Sequence, residues 1–440
     1  MVAKVPSNFR RVITAAAGGN VIEWYDFYIF GTLAVSVLAV KFFEKGHPSA
    51  ALITTVGIFT AGFLIRPLGA FLFGWLGDRV GRKYTFLLTL MGMALGTGAI
   101  GLVPTYDSIG FSAAIILLAL RMIQGLCLGG QYGGAITYVA EHVSDEHRGY
   151  YTGWLQTSPT LGIVLSLLVV IGTRTYFGNE VFNDWAWRIP FLFSFLLLFI
   201  AGYVRSQFEE SPVCAEIKAK GQTSKNPWRE AFLNSANLKY VLIASIVVLG
   251  QGVVWYSGQF WALYFLQTVS KVDVLHSAYI VGAGLLIGTP SLIFFGWLSD
   301  HIGRKPVILG GMLIAAVTYY PLYTWLGAAT QPNNINYPVA IIIVAIMVCY
   351  VGMVYGPIGA FLAEFFPARI RYTSVSVPYH IGNGWGGGLV PVITVAAYQA
   401  TGSLAYALIY PIVVPAVCFL LGLLLMPETR HNKIWETATA

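Results

Sequence analysis

The sequence predicts an all-α integral membrane protein, and this fold class follows from its composition and its long apolar runs. Hydrophobic residues make up 57% of the 440 positions, whereas charged residues make up only 10%. A soluble domain carries about 25% charged residues, so this chain lacks the polar side chains needed to cover a water-exposed surface. The mean hydropathy of +0.69 agrees with that conclusion.

Twelve apolar runs approach or exceed the roughly 20 residues that a transmembrane helix requires. They cover residues 14–40, 50–74, 84–103, 110–140, 151–172, 188–205, 240–268, 277–298, 306–327, 337–363, 373–399 and 403–426. The first run is too long for a signal-peptide core, and no small-residue cleavage site follows it, so we expect an uncleaved span. The sequence therefore predicts 12 transmembrane helices.

Basic residues predict the orientation of these helices. With the N-terminus in the cytoplasm, the cytoplasmic segments hold 19 of the 26 Lys and Arg residues and the outer loops hold five. Cytoplasmic loops of membrane proteins carry such an excess, so both termini are predicted to be cytoplasmic. The net charge of +7 reflects this topology, and no nucleic-acid partner is expected.

The two halves of the chain repeat each other. FGWLGDRVGRK at 73–83 recurs as FGWLSDHIGRK at 295–305, an offset of 222 residues. The spacing of Glu141 and Arg148 recurs at an offset of 223 in the second half, where an acid is again followed by Arg371. Two motifs repeating at nearly one offset indicate duplication of a six-helix unit.

The chain's long polar stretch lies between these halves. We predict a six-helix bundle over residues 1–205, a cytoplasmic linker over 206–238 and a second, pseudo-symmetric six-helix bundle over 239–440. Internal repeats around an axis are a recurring plan of secondary transporters, which bind their substrate near the bilayer midplane between the repeats.

Several motifs resemble those of the major facilitator superfamily. GWLGDRVGRK is similar to the loop 2–3 signature of that superfamily, and its copy falls in loop 8–9. RMIQG at 121–125 resembles the helix 4 motif frequent in proton-coupled members. GNVIEWYDFYIFG, FLIRPLGA, GLCLGGQYGG, WAWRIPF and PETR together resemble the metabolite:proton symporter family.

This resemblance implies a multi-pass protein of the cell (inner) membrane. It also implies import of a small polar metabolite together with protons, by alternating access of the two bundles. The substrates expected are an organic carboxylate, such as a mono-, di- or tricarboxylate or a keto acid, or a betaine-like zwitterion. We expect a monomer surrounded by lipid, with no cofactor, no metal and no enzymatic activity.

The repeated loop motifs predict a cytoplasmic gate. Asp78 follows helix 2, where it can meet the positive N-terminus of another helix or a nearby arginine, and Asp300 is placed equivalently. In the family such clusters hold the cytoplasmic side shut while the transporter faces outward. The alternative for the arginines is simple positive-inside anchoring. The predicted gate residues are Asp78, Arg79, Arg82, Arg148, Asp300, Arg304 and Arg371.

Four ionisable residues lie well inside the predicted spans: Glu23, Asp26, Arg66 and Arg121. A central charge costs roughly 2.5–3.5 kcal/mol on insertion scales, so four unpaired charges cost on the order of 10 kcal/mol. We therefore expect the two acids and two bases to pair and to face a cavity.

Helical spacing predicts a polar stripe on helix 1, because Asn20, Glu23 and Asp26 recur every three residues. One acid is expected to stay ionised against Arg121, supported by Gln124, while the other carries a proton. By resemblance to proton-coupled relatives we assign the proton to Asp26 first and Glu23 second. The two acids are also able to titrate as one unit, and the alternative role for the cluster is a static ion pair.

Arg66 is the predicted ligand of an anionic substrate group, because a guanidinium binds a carboxylate with two hydrogen bonds. The alternative is that it only neutralises Glu23. At position 131 Gln replaces the Glu of many family members, which shifts the expected proton binding to helix 1. The predicted substrate-binding residues are Arg66, Asn20, Gln124, Gln131, Trp255, Tyr256, Gln259, Tyr379, His380 and Asn383.

Other functions remain as alternatives. An uncoupled facilitator or exchanger of the same substrates and a sugar or polyol symporter share the predicted fold. A drug exporter is disfavoured because Ser158 precedes Pro159 where exporters usually carry a Gly-Pro-rich motif. An ATP-driven pump is disfavoured because no GxxxxGK[ST] occurs. A membrane enzyme has only the weak metal signal of His142 and His147.

Overall fold

The computed structural model describes residues 9–44, 46–80, 82–206, 235–331, 334–367 and 371–434. Within these ranges the side chains of several positions, including those of residues 9–16 and 77–83, lie outside the description. The predicted linker falls largely on residues 207–234, which are also outside it. The division of the chain into two domains and a linker therefore stays a prediction.

Residues 9–206 form ten α-helices. They are α1 (Phe9–Leu33), α2 (Ala39–Lys41), α3 (Pro48–Leu64), α4 (Arg66–Val80), α5 (Arg82–Ile100), α6 (Tyr106–Ile109), α7 (Ser112–Gly129), α8 (Tyr132–His142), α9 (Arg148–Asp184) and α10 (Ile189–Ser206). A π-helical segment, Ala34–Leu38, joins α1 to α2, and 3₁₀ turns precede α9 and α10 at Asp145–His147 and Ala186–Arg188.

The described residues from 235 to 434 form ten further α-helices. They are α11 (Ser235–Tyr256), α12 (Ala262–Thr268), α13 (Val274–Gly288), α14 (Pro290–Ile302), α15 (Arg304–Ala329), α16 (Tyr337–Tyr355), α17 (Ile358–Phe365), α18 (Arg371–Tyr379), α19 (Val390–Thr401) and α20 (Leu404–Leu425). π-Helical segments Ser257–Trp261 and His380–Gly387 interrupt this series, and two short antiparallel strands, β1 (Thr330–Gln331) and β2 (Asn334–Ile335), follow α15.

The described residues contain nine helices that are long and apolar enough to cross a membrane by length and composition. Two shorter apolar helices, Leu87–Ile100 and Ala186–Ile200, accompany them. This confirms the predicted all-helical, multi-span fold class. The count of twelve spans and the cytoplasmic position of the termini remain predictions.

Helix breaks recur at equivalent positions of the two halves. Pro67 lies at the start of α4 and Pro290 at the start of α14. Their offset of 223 residues equals the one that separates the two repeated pairs of an acid and an arginine. A proline has no N–H to donate to the preceding turn and its ring crowds that turn, so each long helix divides there. The break places Arg66 in the first half and Thr289 in the second, so the buried charge at this level belongs to one half alone.

The two halves meet closely where α9 crosses α14. A Cβ atom added to Gly296 would overlap the carbonyl oxygen of Gly149, and one added to Gly153 would lie 3.0 Å from the carbonyl oxygen of Leu292. Glycines permit this backbone approach because they lack a side chain. The crossing brings the end of α14 to the N-terminus of α9, which is where the predicted gate lies.

Candidate functional site

Arg66 lies at the break between α3 and α4 and is fully buried. Its guanidinium carbon lies over three aromatic rings, 5.3 Å from the ring centre of Trp24, 4.5 Å from Phe27 and 4.4 Å from Phe63. Its Nε, Nη1 and Nη2 make no hydrogen bond of good geometry with the described residues, although the Tyr256 hydroxyl has a weaker hydrogen-bonding contact with it. Arg66 is therefore a buried cation stabilised mainly by aromatic faces, with most of its donor capacity available.

Aromatic side chains of the other half close over this arginine. Tyr256 interacts electrostatically with Arg66, and its hydroxyl lies 3.5 Å from that of Tyr28 on α1. The rings of Tyr28 and Trp255 stack with centres 5.5 Å apart. The predicted residue Tyr256 thus lies beside Arg66, and Trp255 joins the same group of rings through Tyr28. Tyr28 was not predicted, although it follows Trp24 by one helical turn.

A second aromatic group continues the same surface. Tyr379 stacks on Tyr132 with ring centres 3.3 Å apart, and its hydroxyl lies 2.9 Å from that of Tyr355. Tyr132 and Tyr355 were not predicted, because single tyrosines in apolar helices are indistinguishable from residues of an interfacial belt. We call Trp24, Phe27, Tyr28, Phe63, Tyr132, Trp255, Tyr256, Tyr355 and Tyr379 the central aromatic cluster.

Two polar side chains of the C-terminal half are buried. Gln259 is 1% exposed and His380 0% exposed. The amide of Gln259 forms no hydrogen bond within the described part of the chain, whereas the His380 ring has a hydrogen-bonding contact with the backbone of Gly129. His380 also interacts electrostatically with Arg66. Asn383 instead donates to Gln251 at 3.3 Å.

Three predicted amides are bound to neighbouring helices instead. Asn20 donates to the Ser158 hydroxyl at 2.6 Å, and Gln131 donates to the Thr89 hydroxyl at 3.1 Å. Gln124 donates to the Thr97 hydroxyl of α5 at 2.7 Å. These hydrogen bonds tie helices of the N-terminal half together, and a role of the three amides in substrate binding stays a prediction.

Arg121 is fully buried and makes a set of contacts that the sequence did not predict. Its Nη1 donates to the carbonyl oxygen of Phe27 at 2.8 Å and to the Gln124 side chain at 2.9 Å. Its Nε donates to the carbonyl oxygen of Phe59 at 3.3 Å. The guanidinium carbon also lies 3.6 Å from the ring centre of Phe27. The predicted support from Gln124 is present.

The predicted pairing of Arg121 with one acid of α1 is not made by Asp26, the acid assigned to the proton, and a pairing with Glu23 stays a prediction. Asp26 is fully buried. Its carboxylate has a hydrogen-bonding contact with the Ser194 hydroxyl of α10 and interacts electrostatically with Glu23. Main-chain carbonyls occupy Arg121 instead, and sequence spacing does not reveal carbonyl partners.

The predicted gate residues of the second half converge with α9. Asp300 accepts hydrogen bonds from the backbone N–H groups of Gly149 and Tyr150, both at 2.8 Å, and from Arg304 at 2.7 Å. These N–H groups begin α9 and carry partial positive charge, so an acid is favoured there. The side chains of Asp78, Arg79 and Arg82 lie outside the described residues.

Two acids complete this cluster across the interface between the halves. Glu364 accepts from Arg148 at 2.9 Å and from Arg304 at 2.9 Å. Arg371 donates to Glu141 at 3.0 Å. We call Glu141, Arg148, Asp300, Arg304, Glu364 and Arg371 the ionic latch. The repeat had drawn attention to both glutamates, but only the structure shows that each pairs with an arginine of the other half.

The residues after α20 lie on this latch. Glu428 accepts hydrogen bonds from the backbone N–H groups of Arg304 at 2.9 Å and Lys305 at 3.0 Å. The Thr429 hydroxyl donates to Glu364 at 2.8 Å. Ile434 is 1% exposed and packs with Ala140 and Ala363. The PETR motif therefore belongs structurally to the latch.

The halves also touch at the end opposite to the latch. Arg174 of α9 pairs with Asp273 at 3.3 Å. The Tyr264 hydroxyl donates to the carbonyl oxygen of Gly31 at 2.8 Å. With contacts at both ends, Arg66 and the central aromatic cluster are enclosed between the halves.

This helical membrane protein has repeated halves, a buried charged site between them and an ionic latch at one end. These features define the class of secondary transporters. Comparison with known sequences agrees. The family model described as Major Facilitator Superfamily matches residues 16–377 and 290–440, and the chain belongs to that family. The family is one of transporters, so the chain is a multi-pass membrane transporter and not an enzyme, as predicted.

Individual relatives are similar over nearly the whole chain. The inner membrane metabolite transport protein YhjE of Escherichia coli is 32% identical, over 98% of this chain and 97% of its own. The proline/betaine transporter of Escherichia coli is 31% identical, over 97% and 85%. The solved structure of the proton:xylose symporter XylE, bound to 6-bromo-6-deoxy-D-glucose, superposes with a TM-score of 0.77 at 17% identity and covers 99% of each chain. This last likeness concerns the fold alone.

Proposed function

We propose that this transporter imports a small metabolite carrying a carboxylate, together with protons, by alternating access of its two halves. The observation that carries the proposal is the buried Arg66 guanidinium, whose nitrogens make no hydrogen bond of good geometry with the described residues and only a minor hydrogen-bonding contact with the Tyr256 hydroxyl. A buried cation is costly unless an anion or hydrogen-bond acceptors pair with it. A substrate carboxylate, which accepts two parallel N–H donors, is the natural ligand.

The other half of the site supplies groups for the rest of the substrate. Gln259 offers an unused amide, and His380 offers the ring nitrogen that its contact with the Gly129 backbone leaves available. These groups suit hydroxyl, keto or additional carboxylate oxygens. Trp255 and Tyr256 offer aromatic faces, which suit apolar groups or a quaternary ammonium. A betaine has both a carboxylate and such a cation, and the name of the proline/betaine relative supports including it.

Asp26 is the proposed proton carrier. A fully buried carboxylate, even with its hydrogen-bonding contact to the Ser194 hydroxyl, pays a large desolvation cost when ionised, so proton uptake stabilises it in the closed state. Release then requires a conformation in which the group meets water or a cation. Because Glu23 interacts with it electrostatically, the two acids are able to titrate as one coupled unit.

The ionic latch is the proposed cytoplasmic gate. Its ion pairs join residues of both halves, so they must separate when the cytoplasmic side opens. Substrate and proton binding are expected to favour that separation. We propose a monomer in the inner membrane, the location named for YhjE.

The test is uptake into proteoliposomes of the purified full-length chain, under an imposed acid-outside, negative-inside gradient. Labelled glycine betaine, shikimate and citrate are compared, because all three carry a carboxylate while the first adds a quaternary ammonium, the second a hydroxylated ring and the third two further carboxylates. We expect at least one to accumulate. Arg66→Gln is expected to abolish uptake, and Arg66→Lys to reduce it strongly, because Lys does not reproduce the two-pronged donor geometry.

Asp26→Asn is expected to remove accumulation driven by the proton gradient. The matched control is Asp107→Asn, which neutralises an exposed carboxylate near α6 and is expected to transport normally. Uptake that proceeds equally without a proton gradient would show an uncoupled facilitator instead. Uptake of xylose or glucose, with none of the three carboxylates transported, would show a sugar symporter and contradict the proposed role of Arg66.

A further inference from the structure

A buried hydroxyl lies between the arginine-bearing helix α7 and the backbone of the proposed proton carrier. The Thr97 hydroxyl of α5 is fully buried and lies 3.0 Å from the carbonyl oxygen of Asp26. It accepts a hydrogen bond from the Gln124 amide at 2.7 Å. The Thr97 hydroxyl has one proton, which it shares between two acceptors. They are the carbonyl oxygen of Asp26 and the carbonyl oxygen of Met93, which lies 2.9 Å away in the same helix as Thr97.

The contacts of α7 thus reach two consecutive carbonyls of α1. Gln124 reaches Asp26 through Thr97, while Arg121 donates directly to Phe27 at 2.8 Å. Arg121 and Gln124 are themselves joined at 2.9 Å. Successive residues of a helix point about 100° apart, so holding both carbonyls restricts rotation of α1 about its axis.

The rotation of α1 determines which side chains face the site. In this structure the Phe27 ring lies between the two arginines, 4.5 Å from the Arg66 carbon and 3.6 Å from that of Arg121. The preceding residue, Asp26, points to Ser194 of α10. A turn of α1 that moves the Asp26 carboxylate towards the site must therefore displace Phe27 and break the Thr97 bridge.

We propose that Thr97 is a positioning residue for proton coupling, which holds α1 in the rotation that keeps Asp26 against α10. This inference rests on the proposed role of Asp26. The titratable groups that interact with Asp26 are Glu23 and Tyr25 of its own helix. From α10 it meets the Ser194 hydroxyl, and the charged group of α7, Arg121, is bound to the Phe27 carbonyl.

The test follows protonation of Asp26 directly and needs no transported substrate. Infrared difference spectra of the detergent-purified chain are recorded across a pH titration, and the protonated carboxyl band that Asp26→Asn removes is assigned to Asp26. Thr97→Val keeps the shape of the side chain and removes the bridge. It is expected to move the titration midpoint of this band by roughly half a pH unit to one pH unit. A shift of that size corresponds to the free energy of about one hydrogen bond.

Further variants separate positioning from a general loss of structure. Thr97→Ser retains the hydroxyl and is expected to keep the native midpoint. Gln124→Met breaks the bridge from the α7 side and is expected to move the midpoint as Thr97→Val does, with no further change in the double variant. The matched control is Thr55→Val, since the buried Thr55 hydroxyl donates only within its own helix, to Ala51 at 2.7 Å.

The outcomes are distinguishable. A Thr97→Val midpoint equal to that of Thr55→Val overturns this inference alone, as does an equal shift in Thr97→Ser. If Asp26→Asn removes no titrating carboxyl band, the proposed proton carrier is wrong and the role of Thr97 fails with it.

Discussion

Glu141 of the N-terminal half accepts a hydrogen bond from Arg371 of the C-terminal half at 3.0 Å. The repeat of this relationship, Arg148 with Glu364 at 2.9 Å, runs in the opposite direction across the interface. In these two contacts each half contributes one acid and one base, and each base is bound by the acid of the other half. The repeated sequence thus produces a pair of contacts that exists only when the two halves meet.

Arg371→Gln is expected to open this latch. Glu141 is 4% exposed, and removing one partner of a buried ion pair costs about 3–5 kcal/mol. The measurement is labelling of a cysteine introduced at Ala140, which is fully buried beside the latch, by a membrane-impermeant thiol reagent applied to inside-out vesicles. Faster labelling than in the parent is expected.

The charge-exchanged variant Glu141→Arg with Arg371→Glu is the control for that experiment. It restores an opposite-charge pair and is expected to recover much of the slow labelling. If Arg371→Gln labels no faster than the parent, the pair does not hold this end of the molecule closed.

The sequence predicted the location of this latch but not its pairing. Asp300 and the arginines were found because charges at helix ends stand out against apolar spans. The partners of Glu141 and Glu364 depend on how two distant helices cross, and that is determined by backbone packing at glycines. Hydrophobic patterns identify helices well, whereas they carry little information on which faces of helices meet.

For the proposed substrate site, too, the sequence predicted the buried charge but not the residues that surround it. Arg66 was predicted because a buried charge is exceptional, and the structure places it among aromatic side chains of both halves. Tyr28 and Tyr355 were missed, since a tyrosine in an apolar helix fits lipid contact equally well. The contact of Arg121 with the Phe27 carbonyl was also missed, because every residue has a carbonyl and no pattern marks the one that is used.

The segment after α20 is expected to stabilise the latched state. Ile434 is buried between Ala140 of one half and Ala363 of the other, and burying such a side chain contributes about 1.5–3 kcal/mol. Ile434→Asp is expected to lose this contribution and to accelerate labelling of the cysteine at Ala140. His431→Ala, at an exposed position of the same segment, is the control. Equal labelling of the two variants would contradict a role for the tail.

Asp273 has two roles that its substitutions separate. It pairs with Arg174 at 3.3 Å and caps α13 by accepting from the Leu275 N–H at 2.8 Å. Asn caps a helix about as well as Asp, so Asp273→Asn is expected to lose only the ion pair. Because the Asp273 side chain is 45% exposed, that loss is at most about 1 kcal/mol.

Asp273→Ala removes the cap as well and is expected to cost about 1 kcal/mol more. The measurement is the thermal unfolding midpoint in detergent at low and high salt. The parent is expected to lose stability on adding salt, and Asp273→Asn to be less sensitive. Equal destabilisation by Asn and Ala would show that capping is not the second contribution.

The close backbone contact between α9 and α14 predicts that a side chain at Gly296 is not tolerated. A Cβ on Gly296 would overlap the Gly149 carbonyl oxygen, and both atoms belong to backbones that other contacts hold. Gly296→Ala must therefore push the helices apart, at a cost of about 1–3 kcal/mol for overpacking. Separation of the helices also weakens the hydrogen bonds from Gly149 and Tyr150 to Asp300. Both a lower unfolding midpoint and faster labelling of the cysteine at Ala140 are expected.

Gly57→Ala is the matched control, because a Cβ at Gly57 on α3 meets no atom within 4 Å. Alanine has the higher helix propensity, so this variant is expected to be as stable as the parent or slightly more stable. If Gly296→Ala behaves like Gly57→Ala in both measurements, the halves do not depend on close backbone contact at this crossing. In that case the ion pairs alone would have to hold the latch end of the molecule closed.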